Sequence, residues 1–257
     1  MKLQSTLLIT FALVSLSFTI NAKLLTGAQT VNVAGQQRML SQRMAKNYLT
    51  IANRIFRSDS IKELKVSIAK FEENMNDLQQ TITNKNSVSK YEILLAKWKI
   101  FHPLVLSRPN KELADKIQNE SQHLLKTAND LVLSIEGSQQ TQNIKLVNIS
   151  GRQRMLSQKI ALLYFASYAG STNESLNSEF KLAIYEFDSA LDLMLNSNKN
   201  SVEIQTALLK VKSKWDFNKP KLQIEKNKPY FPRTIRIVTE LLLVNMNKIT
   251  KLYELNI

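Results

Sequence analysis

Apolar residues recur every three to four positions through most of this chain, with polar residues between them. That spacing belongs to helices that bury one face. It predicts helices near 28–57, 60–82, 88–101 and 110–136, then four more near 139–169, 174–196, 201–217 and 233–255. The breaks fall at Ser58-Asp59-Ser60, Asn84 to Ser87, His102-Pro103 to Pro109, Gly137-Ser138, Gly170 to Asn173, Asn196 to Asn200 and Lys219 to Pro232. Ser, Asp and Asn in these breaks carry side-chain oxygens that cap the helix that follows. Only five Gly and five Pro interrupt 257 residues, so the periodic segments run long.

The second set of four helices mirrors the first. "GQQRMLSQRMA" begins at Gly35 and "GRQRMLSQKIA" at Gly151. From Val31 to Tyr48, eleven of eighteen residues are identical to those 116 positions later. Phe71-Glu72 falls on Phe187-Asp188 at the same shift. Trp98 pairs with Trp215 at a shift of 117, and Asn129 with Asn247 at 118. One four-helix unit has been duplicated, and its loops have drifted by a residue or two. The expected fold class is all-α: two tandem antiparallel four-helix bundles from an internal duplication, covering 23–137 and 138–257.

Residues 1–22 read as a secretory signal rather than as part of the fold. Lys2 is followed by an apolar run from Leu7 to Ile20, and Asn21-Ala22 offers a small residue for cleavage. The run is short for a membrane span. Farther on, the most apolar stretch, Ile235 to Val244, is broken by Arg236 and Glu240. The mature chain is therefore expected in the periplasm. It has no cysteine, so its core must hold it without disulfides, and its length suffices for that. The formal charge is +14, and the signal holds one lysine and no acid. Such a field attracts anions of every size. The lysines are scattered and no aromatics are interleaved with them, which argues against a nucleic-acid groove.

Two stripes run along each repeated phrase. Val33, Leu40, Met44 and Tyr48 form one, matched by Ile149, Leu156, Ile160 and Tyr164; it buries the helix in its own bundle. Val31, Gly35, Arg38, Gln42, Ala45 and Leu49 form the second, at the alternating four-three steps of a coiled-coil seam. Val147, Gly151, Arg154, Gln158, Ala161 and Phe165 repeat it. A helix with two buried faces has a second partner, and the obvious one is the other copy. Arg38 and Arg154 would then face one another, either within a chain or across a homodimer. Their repulsion, roughly 4 kcal/mol at about 4 Å and an effective dielectric of 20, must be offset. A small anion, an oxyanion or an organic acid, would do so through two guanidinium forks. Gln42 and Gln158 could add neutral donors, with Ser41 and Ser157 slightly off the seam. The other reading pairs each arginine with a carboxylate of its own bundle: Glu72, Glu73 or Asp188.

The phrase "GQQRMLSQRMAKNYL", with "VNVA" upstream, resembles the first-helix motif of the bacterial NarX-like sensory domain, which is also the N-terminal domain of type IV pili methyl-accepting chemotaxis transducers. "VNISGRQRMLSQKIALLYF" is similar to it in the same way. The resemblance covers nearly the whole mature chain as two tandem copies. In the nitrate and nitrite sensor kinases of that family the domain is a periplasmic four-helix bundle. Two copies pair, and one motif arginine from each forms a shared anion site. The resemblance thus implies that Arg38, Arg154, Gly35 and Gly151 build such a site. This chain departs from the pattern: no membrane helix follows the bundles, and there is no kinase or methyl-accepting region. A separate membrane sensor protein is the implied partner. The "RMLSQR" form is nearer the pilus-transducer branch than the nitrate-sensor branch, so nitrate itself is not implied.

His102 and His123 are the only histidines, and without cysteine they make no metal signature. No inward Glu-x-x-His pattern, Gly-rich phosphate loop or nucleophile with a base is present. No cofactor and no enzyme activity are expected. Trp98, Trp215, Met39 and Met155 read as core filling. The favoured function is a periplasmic sensory module that holds a small anion between its motif helices. The alternative is a structural or adaptor bundle that docks on a membrane receptor or pilus component.

Overall fold

The computed structural model describes residues 24–138, 142–224 and 230–256; the expected signal, 1–22, lies outside the described residues. The described residues form eight α-helices, two short 3-10 turns and their connections, and contain no strand. The first bundle holds α1 (Gly27–Ala52), α2 (Arg57–Thr81), α3 (Lys85–Leu106) and α4 (Ala114–Gly137). The second holds α5 (Gln142–Tyr168), α6 (Leu176–Leu195), α7 (Val202–Asn218) and α8 (Pro232–Leu255). In each, the first helix packs on the second and the fourth, and the third packs on the fourth. The chain is all-α, two tandem antiparallel four-helix bundles. The most extensive helix pairing in the molecule joins them, α1 against α5.

Side-chain caps set the starts of α1, α3 and α7. Thr26 caps α1 in a reciprocal box with Gln29. Asn84 accepts from the amides of Asn86 and Ser87 at the start of α3, and Ser201 from that of Ile204 at the start of α7. Two boundaries differ from the periodicity reading. α1 stops at Ala52 rather than near 57, because the chain reverses there through left-handed Arg54 (φ 59°) and Phe56 (φ 49°). The Ser58-Asp59-Ser60 stretch then falls inside the first turn of α2, where Asp59 faces the positive end of the helix. α3 passes through Pro103 to Leu106. A proline here loses the hydrogen bond to the carbonyl four residues back and crowds it, but only three helical residues follow, and the burial of Phe101 and Val105 holds the segment in place.

The duplication shows in the core as well as in the helix order. Phe71 stacks on Trp98 with ring centroids 4.3 Å apart, and Phe187 meets Trp215 at 4.4 Å. Gln37 donates from Nε2 to the Phe71 carbonyl at 2.9 Å, and Gln153 to the Phe187 carbonyl at 2.8 Å. These amides lock each first helix to the second helix of its bundle at the level of the aromatic pair. Trp215 is fully buried, and its indole N–H donates to Asp188 at 2.8 Å. Trp215→Ala should therefore cost about 3–5 kcal/mol in chemical denaturation. A loss under about 1 kcal/mol would mean that this aromatic pair does not carry the second core.

Candidate functional site

α1 and α5 cross at their glycines, which serve here to leave room. A β-carbon on Gly35 would stand 3.3 Å from Nη2 of Arg38 and 3.6 Å from Nη2 of Arg154. One on Gly151 would stand 3.1 Å from Nη2 of Arg154 and 3.7 Å from Nη2 of Arg38. The two guanidinium groups thus occupy the space that two missing side chains vacate. Any larger residue at either position would push into them.

Each arginine reaches across to the other bundle. Arg38 Nη2 donates to the Asn148 side chain at 2.7 Å and its carbonyl at 3.3 Å; Arg154 Nη2 donates to the Asn32 side chain at 2.7 Å and its carbonyl at 3.4 Å. Within its own bundle, Arg38 Nη1 donates to Asn129 on α4 at 3.0 Å, and Arg154 Nη1 to Asn247 on α8 at 3.2 Å. Behind these, Asn148 donates to Glu136 and Asn32 to Glu254. The result is a two-fold lattice in which each positive charge is one asparagine away from a carboxylate.

The charges are deeply placed: Arg38 is 1% exposed and Arg154 2%. Burial, with Arg152 and Arg154 nearby, pulls the Arg38 guanidinium down to about 9 despite Glu136. Burial likewise pulls Arg154 down to about 10 against the pull of Glu254. Both Nε atoms are buried without a hydrogen-bond partner. The terminal nitrogens lie within about 7 Å of each other by the glycine geometry, where two unit charges repel by roughly 2 kcal/mol at an effective dielectric of 20. Neither arginine ion-pairs with a carboxylate among the described residues. The acids considered for that role are engaged elsewhere: Glu72 beside His102, Glu73 with Lys70, and Asp188 with Trp215, Lys212 and Lys219. The arrangement gathers two guanidinium groups that have neutral acceptors and no directly paired carboxylate, which is chemistry suited to receiving an anion.

The structure brings together Arg38, Arg154, Gly35 and Gly151. The remaining seam residues bond elsewhere. Ser41 and Ser157 donate to the carbonyls of Arg38 and Arg154 in their own helices. Gln42 donates to Ser41 and the Ser121 carbonyl and accepts from Gln122. Gln158 donates to Ser157, and its Oε1 is unpartnered. Sequence reasoning missed the asparagines as site residues. Their signal was present, since Asn32/Asn148 and Asn129/Asn247 are matched across the repeat.

A cleft of about 770 Å³ opens beside this lattice between α1, α2 and α8, with Arg154, Asn32 and Asn247 in its lining. An ion cluster ties the same three helices together. Lys46, 1% exposed, meets Glu240 at 2.6 Å and Glu63 at 3.3 Å. Arg43 meets both acids at 3.0 and 3.3 Å, and Arg236 reaches Glu63 at 2.7 Å and Asp59 at 3.4 Å. Burial pulls the Lys46 ammonium below its ordinary value against Glu240, with Arg43 adding to the fall. Burial alone would raise the Glu240 carboxyl, but Lys46, Arg43 and Arg236 outweigh it and hold it below the usual carboxylate range. The second repeat lacks this cluster: Leu162 stands in the place of Lys46 and Gln122 in that of Glu240.

The profile of the type IV pili methyl-accepting chemotaxis transducer N-terminal (PilJ) family matches residues 19–123 and 137–229. No curated protein and no solved structure matches the chain. Among the described residues, no helix is long and apolar enough to cross a membrane.

The ion cluster generates a pH-dependent prediction. Glu240→Gln leaves Lys46 buried with only Glu63 beside it, and should cost about 3 kcal/mol at pH 7. Because the folded carboxyl lies below its unfolded value of about 4.3, that contribution is complete above pH 5. It fades as the pH falls through the folded value. Denaturation of both proteins at pH 7, 5, 3.5 and 2.5 should show the gap closing toward acid; a gap independent of pH would refute the assignment.

Proposed function

The chain belongs to the type IV pili methyl-accepting chemotaxis transducer N-terminal family, and from that premise we propose that it is a periplasmic ligand-binding sensory module. Its two motif helices hold a small anion between Arg38 and Arg154, and it acts through a separate membrane partner. The observation that carries this reading is the pair of buried, like-charged guanidinium groups at one glycine crossing, with no carboxylate in contact with either. An anion that adds to this donor set favours the close α1–α5 packing over any looser one, and a ligand shifts an equilibrium by that differential affinity. NarX-like pairing of motif arginines supports the same reading, with the pairing made here inside one chain.

One observation favours the adaptor reading. The terminal nitrogens of both arginines already donate to Asn129, Asn148, Asn247 and Asn32, so the lattice can join the bundles with no ligand. In that case the protein is a rigid connector for a membrane receptor or pilus component.

A thermal-shift and denaturation screen against nitrate, phosphate, sulfate and small carboxylates decides between them. Under the sensory reading at least one anion stabilises the protein, by about 2.7 kcal/mol at a hundred times its Kd. Arg38→Ala and Arg154→Ala should each abolish that gain, since one fork does not replace two. Under the adaptor reading no anion stabilises, and each arginine variant loses stability because its asparagines are left unpaired. Location is tested separately by the mass of protein recovered from the periplasm, which should lack about the first 22 residues. An intact Met1, or retention in the cytosol, would overturn that part of the proposal.

A further inference from the structure

The cleft between α1, α2 and α8 has an ordered lengthwise chemistry. α2 and α8 both run antiparallel to α1, since late Lys46 meets early Glu63 and early Glu240, while early Asn32 meets late Glu254. The α1 wall extends from Asn32 to Arg43, about 16 Å at 1.5 Å per residue. At the Arg43 end the wall is ion-paired and electrically closed by Glu63 and Arg236. The middle is apolar: Met39, Leu40, Val66 and Leu243. At the far end stand Arg154 and Asn247, with Lys70 and Lys251 beside them. Both lysines are half-exposed: Lys70 pairs with the exposed Glu73, a contact too weak to hold it against a ligand, and Lys251 pairs with the nearly buried Glu254.

The opposite face of the α1–α5 pair repeats the apolar floor (Met155, Leu156, Leu182, Leu125) and the pairing of arginine with asparagine, but not the flanking charges. At the matching positions Lys70 becomes Glu186, Lys251 becomes Leu133 and Arg236 becomes Gln118. The cation gained there, Arg152 in the place of Gln36, is paired with Glu186, so Arg38 lacks the two lysines that stand beside Arg154. The cleft is also much larger than a three- or four-oxygen anion, and a site built for such an ion alone would not expose an apolar floor.

We infer that this cleft takes an organic anion with one carboxylate head and an apolar body. The head sits against Arg154, Asn247 and Lys251, and the body lies over Met39, Leu40, Val66 and Leu243. The inference rests on the anion reading of Arg154 given above and names the class of ligand for it. The binding is biased to one side of a duplicated protein, since only this face adds Lys70 and Lys251 to the arginine, asparagine and apolar parts that both faces share.

Calorimetric titration of the mature chain with nitrate, acetate, butyrate and hexanoate tests this. Each methylene buried over the apolar floor should tighten binding about fourfold, so hexanoate should bind far more tightly than acetate. Val66 is 61% exposed, so Val66→Asp leaves the fold intact; it should weaken hexanoate at least tenfold and leave nitrate unchanged. Leu182→Asp, at the matching exposed position on α6, should change neither. Arg154→Ala should abolish hexanoate binding. Affinity that is flat along the series, or hexanoate binding indifferent to Val66→Asp or Arg154→Ala, overturns the inference while nitrate binding keeps the anion reading. Failure of every anion to bind, the phosphate and sulfate of the wider screen included, ends both.

Discussion

Two arginines buried side by side dictate much of how this molecule is put together. A guanidinium group cannot shed its charge cheaply, so a buried pair needs donors satisfied, charge offset and space. Space comes from Gly35 and Gly151, which leave vacant the volume that Arg38 and Arg154 fill. Donor satisfaction comes from asparagines reaching across the bundle boundary. Charge is offset only at one remove, through Asn148 to Glu136 and Asn32 to Glu254. Each bundle thus needs the other, because the groups that complete its arginine are on its neighbour. The α1–α5 junction is a reciprocal contact of the kind two-fold dimers make, here within a single chain.

Fusion of the two copies frees them to differ. In a homodimer every change appears on both faces; in a tandem chain one face can change alone. The Lys46, Glu240 and Glu63 cluster is such a change, with Leu162 and Gln122 in the corresponding places of the second copy. It pins α8 of the second bundle to α1 and α2 of the first, along the edge where the cleft opens. A buried pair of this kind adds little net stability, yet it is costly to break from one side. Its evident effect is to set the separation of the three helices that line the cleft.

That coupling links the cleft to the family's role. A ligand held by Arg154, as proposed, would touch α5 of one bundle and α1, α2 and α8 around it. Any preference for one spacing of those helices becomes a preference for one relation between the bundles. A partner that contacts both bundles would sense that relation. The asparagine lattice is suited to such adjustment, since its oxygens are neutral acceptors that the guanidinium groups can exchange for the stronger, charged oxygens of an anion.

The helices, the duplication and the doubled burial of α1 and α5 were legible in the residues. A 3.6-residue period with a second stripe is a local property, and identity at a fixed shift needs no coordinates. The arginines and glycines stood out because a charge on an apolar seam is anomalous wherever it lies. The end of α1 was not legible, because the left-handed turn at Arg54 and Phe56 has no glycine to announce it. Nor was the passage of α3 through Pro103, which depends on the burial of Phe101 and Val105 on either side of it. The asparagines were visible as repeated letters but not as partners of the arginines. Asn32 and Arg154 are 122 positions apart, and only the crossing of α1 on α5 makes them neighbours. The cleft and its one-sided charge were likewise decided by tertiary structure. They come from residues on three helices that no single-helix pattern can bring to one surface, while composition and period act only along one helix at a time.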